Sequence, residues 1–433
     1  GLEVRTALDP FGLQPVAVTD PRGNTTRLEY DHNNRLTRIT HPDGATRTTR
    51  YNCCAATEMV DENGHSWRAR RDALMQIIEQ SDPSGNLTLN VYDTAHRLVE
   101  TLDPLNRSRS IRYDDAQRMQ VIVDAEGGQA RYLYDPEANL IGVWDERGKA
   151  TQFAYDARAL PVQMLDALGD SLNVVYDALG RPERVINGRG GEVGLIYDAE
   201  GRLVQKLYGD QEAAAYEYSA AGNLVGVRDS GGLTRLEYDE VDQVVAVQHP
   251  DGRRLGLGYD ANGNLSRLTY PDGLVVGYAY DSRDRVTRVE WGSHTVRCEY
   301  DRVGNLIRMT RSNGTESTFT YGLNADVSEI RHTCGAQVLA QIAYEYDAAG
   351  NIRHEGGMYP VDARLAAASL QVTYNDGNQM ATCGGQPCGY DADGNLTIIG
   401  GGRWRAIYDP ENRPVEITRG GQMSEYRYDG LGL

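Results

Sequence analysis

Tyr259-Asp260-Ala261-Asn262-Gly263-Asn264-Leu265-Ser266-Arg267-Leu268-Thr269-Tyr270-Pro271-Asp272-Gly273 reads as a turn, a short strand and a second turn. An Asp that opens a turn can hydrogen-bond the backbone two residues on, and Gly enters positive φ without a steric cost. The same phrase recurs in both directions. Tyr-Asp stands at Tyr92, Tyr113, Tyr134, Tyr155, Tyr176, Tyr197, Tyr238, Tyr280 and Tyr300. The step is about 21 residues. A fixed period of this size marks a repeat architecture, in which each unit leans on its neighbours.

Three positions carry the turn, and four repeats show them most cleanly. These are Tyr176, Asp177 and Gly180; Tyr197, Asp198 and Gly201; Tyr259, Asp260 and Gly263; and Tyr300, Asp301 and Gly304. Elsewhere the Gly position holds Asn34, Asp242, Asp284 or Asn412, which also reach the left-handed conformation cheaply. His96, Gln117, Ala138 and Ala159 depart from this chemistry. Roughly ten residues on comes a second turn, as in Asp20-Pro21-Arg22-Gly23 and Asp82-Pro83-Ser84-Gly85. Two turns per repeat leave two strands of about five or six residues. Residues between turns alternate, as in Arg27-Leu28-Glu29-Tyr30, which is a strand period. The prediction is an all-β chain of tandem hairpins.

Residues 1–322 form the regular array, and residues 323–433 an irregular continuation of the same sheet. Around Tyr51-Asn52-Cys53-Cys54 the pattern weakens. The stretch Arg70–Glu79 has helix propensity, but its register, with Arg71-Asp72 one repeat before Tyr92-Asp93, predicts strand. Slips of one residue are expected to be absorbed by β-bulges. Beyond Tyr321 the spacing breaks, and Gly-rich joints at Gly356-Gly357, Gly384-Gly385 and Gly400-Gly401-Gly402 are expected to let the sheet bend. Asp362–Leu370 is the best helix candidate. The chain starts and stops inside a repeat, so it is expected to be a piece of a longer protein.

Composition narrows the function. The net charge of −18 disfavours a nucleic-acid or anionic-membrane surface. The chain has 27 Tyr and 3 Phe, with a mean hydropathy of −0.54. A ring with a polar tip suits one extended layer with water near both faces. No apolar run reaches the roughly 20 residues that span a membrane, and residues 1–5 do not open a signal peptide.

No residue is assigned to catalysis, to a cofactor or to a metal. Each Tyr-Asp carboxylate has a structural task in its turn, and Asp114-Asp115 lacks a partner set for acid–base work. Asp391-Ala392-Asp393-Gly394-Asn395 hints at a calcium loop but fails its ligand spacing. The six Cys lack the paired spacing of a structural zinc site. Buried or reduced thiols are the plainer reading, with a Cys383–Cys388 disulfide as the alternative for an exported chain. Gly188-Arg189-Gly190-Gly191 has no following helix to make a phosphate cradle.

Tyr176-Asp177-Ala178-Leu179-Gly180-Arg181, Tyr197-Asp198-Ala199-Glu200-Gly201-Arg202-Leu203 and Tyr300-Asp301-Arg302-Val303-Gly304-Asn305-Leu306 resemble the RHS/YD-repeat family, and the match covers nearly all of the chain. The family includes polymorphic toxins, toxin-complex C components and teneurins. The resemblance implies a strip of hairpins that spirals into a hollow shell. It implies a non-catalytic shell whose partner is its own C-terminal toxin or cargo, absent from this sequence, with a shell-closing subunit or secretion component as a further partner. It implies a secreted or cell-surface location. The family's self-cleaving core would lie beyond Leu433, so no protease activity is carried onto these residues. The rival reading is an extracellular adhesion module that binds carbohydrate or protein, with exposed Tyr rows plus Trp67, Trp144, Trp291 and Trp404 as its contact surface.

Overall fold

The computed structural model describes residues 3–358 and 371–430. Every regular element among them is a β-strand, apart from a single 3₁₀ turn at Gly400–Gly402. The helix candidate Asp362–Leu370 lies outside the described residues. The strands up to Ile352–Met358 form a 34-stranded sheet, and the strands from Val372–Tyr374 to Gln422–Glu425 form a separate seven-stranded sheet. The sheets are built of hairpins and are antiparallel, as in Ser171–Tyr176 with Pro182–Ile186 and then Pro182–Ile186 with Glu192–Tyr197. Arg70–Glu79 divides between the strands Ser66–Arg71 and Ile77–Ser81, as its register predicts.

Both turns of a repeat use the same five-residue loop. Asp177 N–H donates to the Arg181 carbonyl at 2.9 Å, and Gly180 N–H donates back to the Asp177 carbonyl at 3.1 Å. Asp166 N–H reaches the Asp170 carbonyl at 3.0 Å and Gly169 N–H reaches the Asp166 carbonyl at 3.2 Å in the same way. The Tyr-Asp turn carries a bulge, and among the second turns the register shifts beside Leu207 and Thr333. Tyr176 faces Pro182 while Val175 faces Arg184, so Glu183 is the extra residue. The same shift precedes Tyr30, Tyr259 and Tyr300. A bulge bends its strand and adds right-handed twist, so the Tyr-Asp turn is where each such repeat bends.

Two departures from the predicted spacing have local causes. At Asn52 the loop loses one residue, and Asn52 N–H donates to Ala55 rather than to a residue four on. From Tyr208 onward several second turns become two-residue loops. Tyr208 pairs Gln211 around Gly209-Asp210, and Trp291 pairs His294 around Gly292-Ser293. Gly209 and Gly292 hold φ of 58° and 52°, as such tight hairpins require.

The strands alternate between an apolar face and a charged one. In Thr25–Tyr30, Leu28 and Tyr30 are half-buried while Arg27 and Glu29 are exposed. The charged face carries cross-strand pairs, such as Glu58 between Arg50 and Arg68 at 2.6 and 2.9 Å. Fully buried large side chains are scarce: Val227 is the one apolar example among the described residues. The accessible surface is 26003 Å², against about 16,000 Å² for a compact protein of this mass. Hairpin pairing and half-burial, not a deep core, hold the strands.

By contact the chain divides into two compact units. The first comprises Gly1–Ser110, Tyr238–Ala246 and Arg254–Ala363; the second comprises Ile111–Glu237, Val247–Arg253 and Arg364–Leu433.

Candidate functional site

Tyr, Asp and Arg of the repeat act as a staple between consecutive hairpins. The Asp177 carboxylate accepts the N–H groups of Leu179 and Arg181, both at 2.9 Å, and the Arg181 Nε at 2.7 Å. The Arg181 guanidinium then lies 4.6 Å over the ring of Tyr197, in the next repeat. Arg202 sits over Tyr218 and Arg285 over Tyr300 in the same way, at 5.0 and 5.1 Å. The Tyr hydroxyl closes the staple. Tyr176, Tyr259 and Tyr300 donate to the carbonyls of Pro161, Val244 and Val286 at 2.8, 2.8 and 2.9 Å. A guanidinium stacked on a ring and paired to a carboxylate combines a cation–π contact with charge-assisted hydrogen bonds.

The staple sets the ionisation of its members. The backbone N–H of Arg181, then its side chain, hold Asp177 below the usual carboxylate range. Asp31, gripped first by the side chain of Arg35, is lowered to about 2. Burial raises Tyr197, Tyr259 and Tyr300, which keeps their hydroxyls protonated as donors.

Gly180, Gly201, Gly263 and Gly304 hold φ of 81°, 84°, 83° and 114°. His96, Gln117, Ala138 and Ala159 hold φ of 65°, 68°, 71° and 60°. The loop therefore imposes the left-handed conformation even where the residue disfavours it.

The second feature is a seam that joins turn edge to turn edge within each unit. In the first unit, Asn262 Nδ2 donates to Asp20 Oδ2 at 2.7 Å, while the Arg22 N–H donates to Asn262 Oδ1 at 3.1 Å. Asn324 and Asp82 repeat this exchange at 2.6 Å, with the Ser84 N–H donating back at 3.2 Å. Asn63 reaches Asp301 at 2.9 Å in the opposite sense. Arg22 bridges Asp284 at 2.6 Å and Asp260 at 3.4 Å. Partners lie 238 to 262 residues apart in sequence. The tip residue of one turn thus satisfies the first residue of the facing turn.

The second unit has its own seam. Arg189 donates to the carbonyls of Tyr408 and Asp409 at 3.1 and 2.7 Å and pairs with Asp393, whose other oxygen accepts the Gly188 N–H at 2.6 Å. A Cβ on Gly188 would come within 2.1 Å of the Ala392 carbonyl, so only glycine fits. Lys206, nearly buried, meets Glu411 at 2.9 Å, and Arg413 donates to the Tyr208 hydroxyl at 2.7 Å. Burial would raise the Glu411 carboxyl, but hydrogen bonds from Lys206 and Tyr208 hold it below the usual range. The carboxylates of Asp391 and Asp393, weighed above as a calcium loop, are therefore bound to this seam and their own turn. Among the described residues no group of three or more His, Cys, Asp and Glu is placed to hold a metal.

Cys383 and Cys388 are free thiols, and the alternative of a disulfide between them is not formed. The hairpin pairs Cys383 with Gln386 and Thr382 with Pro387, so Cys388 stands diagonal to Cys383. Diagonal neighbours lie about 7 Å apart, too far for the Cβ separation of a disulfide. The seams were not read from sequence. Their signal is faint: Asn or Arg two residues into a turn, far from its partner.

Residues 152–278 match the family model of the teneurin YD-shell, and residues 9–46 match that of the RHS repeat. No curated protein matches the sequence. Among solved structures, "TcdB2-TccC3 without hypervariable C-terminal region" aligns at TM-score 0.75 and 16% identity over 95% of this chain and 27% of that one. "TcdB2-TccC3-Cdc42" aligns at TM-score 0.72 and 15% identity, with the same coverage. The Photorhabdus luminescens Tc holotoxin pore aligns at TM-score 0.59 and 15% identity over 96% of this chain and 27% of that one. These likenesses concern the fold, and this chain spans about a quarter of those chains.

Proposed function

We propose that this chain, built of RHS/YD repeats, is a wall segment of a shell that encloses a cargo carried C-terminal to it in the full protein. The seams carry this reading. Within each unit a run of hairpins is stitched along its turn edge to a run some 200 to 260 residues further on. Joining turn edge to turn edge holds two runs of hairpins side by side and makes a wall instead of a ribbon. The thin layer suits a wall, because a single sheet encloses the most volume per residue.

The chemistry fits a structural and not a catalytic part. Turn carboxylates such as Asp31, Asp93 and Asp177 are held ionised by hydrogen bonds within their own turns, and Tyr hydroxyls such as those of Tyr176 and Tyr259 are spent on backbone carbonyls. The stapled Tyr rings are therefore poor candidates for the adhesive rows of the rival reading. On this reading the shell isolates a harmful or unfolded cargo from its producer, and the protein is one of the exported, toxin-type shells. The matched toxin complexes support that placement by fold.

Protease protection of the full-length protein tests the proposal. The segment after residue 433 is expected to survive proteinase K in the intact protein and to be cut quickly when expressed alone. Equal rates of digestion would contradict the shell.

A further inference from the structure

Arg71 breaks the staple. It stands where the other repeats place Tyr, and the preceding turn offers Ala55 where Arg35 would stack on the ring. In the equivalent place the Tyr92 hydroxyl donates to the carbonyl of Ile77, 15 residues earlier. Arg71 instead turns one Nη to the Met75 carbonyl at 2.9 Å. Its Nε is buried and has no hydrogen-bond partner among the described residues.

A groove of 340 Å³ opens at this departure. Its lining includes Met59, Trp67 and Arg71, a second cation, Arg68, and the acids Glu58 and Asp82. Met59 pairs with Trp67 across one strand, and Ala69 with Gln80 across the next. The volume is at the lower end of small-ligand sites. The Nε–H of Arg71 is closed to solvent, so Arg71 meets the groove through the rest of its side chain, of which one Nη is tied to Met75, and the site favours a ligand that supplies an acceptor to the remaining guanidinium.

The nearby acids do not fill that need. Glu58 is held by Arg50 and Arg68, at 2.6 and 2.9 Å. Asp82 accepts from Asn86 and Asn324 at 2.7 and 2.6 Å. Asp72 is used by the N–H groups of Leu74 and Gln76, both at 2.9 Å. Guanidinium stays charged at any working pH and matches a carboxylate along one edge. The indole of Trp67 supplies an apolar contact beside it.

From these observations we infer that the Trp67–Arg71 groove binds a small carboxylate with an apolar or aromatic body. The site is independent of the shell reading and stands on the first unit alone.

Benzoate is the probe, with benzamide as its uncharged counterpart, followed by tryptophan fluorescence and calorimetry. Wild-type protein is expected to bind benzoate saturably at one site, at least tenfold more tightly than benzamide, and less tightly as salt is raised. Arg71→Tyr restores the repeat's own residue and is expected to fold while losing binding at least tenfold. Arg71→Met gives the same loss without the ring. Equal affinity for benzoate and benzamide, wild-type binding by either variant, or no saturation of the wild type would overturn the inference. The benzoate–benzamide comparison stands even if both variants fail to fold.

Discussion

Ala159 and Ala138 hold a left-handed backbone at φ 60° and 71° because the loop around them demands it. A non-glycine residue pays about 1–2 kcal/mol for that conformation, and glycine pays part of this back through its looser unfolded chain. Ala159→Gly is therefore expected to stabilise by about 0.5–1 kcal/mol, read as a higher urea midpoint at constant slope. A lower midpoint would mean that the loop is not strained. Tyr259→Phe removes the hydroxyl bonded to Val244 and keeps the ring. The expected cost is about 1 kcal/mol, since the carbonyl loses a partner in a half-wet site. An unchanged midpoint would show that the hydroxyl closes nothing.

Acid should attack the same turns. Asp31 lies at about 2, and Asp93 and Asp177 are also lowered, by the side chain of Arg97 and the backbone N–H of Arg181 first. A carboxyl lowered by folding contributes stability that is complete above its unfolded value of about 4 and fades as pH falls through the folded value. The urea midpoint should hold from neutrality to about pH 5 and fall between roughly pH 4 and 2. A midpoint unchanged at the acid end would contradict the turn assignment.

At the scale of hairpins, the period of Tyr-Asp-x-x-Gly made the strands legible, because the turn chemistry is local. Arg70–Glu79 shows this well: register outweighs helix propensity there. The shortened loop at Asn52 and the two-residue turns after Tyr208 were legible only as slips, since they swap one local solution for another. The seams were not legible. Asn262 and Asp20 meet across more than 240 residues, and a polar tip in a turn looks the same whether it faces water or a partner. The disulfide alternative stayed open in the sequence for a similar reason, because spacing does not give the register that sets Cys388 diagonal to Cys383. Seam and staple separate by mutation. Gly188→Ala forces a Cβ against the Ala392 carbonyl, while the non-positive φ at Gly188 lets alanine fit its own turn. Amide exchange should quicken at residues 391–394 and 408–412, with the strand Pro182–Ile186 still protected. Loss of protection through that strand would show that seam and hairpin are one cooperative unit.

At the scale of the molecule, the bulge recurs at the Tyr-Asp turns, and within each unit carboxylate–amide exchanges bind the turn edges. A thin sheet treated this way can enclose space, and this is the content of the shell proposal. Small-angle X-ray scattering on this chain tests it most directly. The account predicts a compact pair-distance distribution with a single broad maximum shifted to long distances, as a wall around a depleted centre gives. A distribution with an early peak and a long linear tail would describe an open rod of hairpins and would contradict the shell.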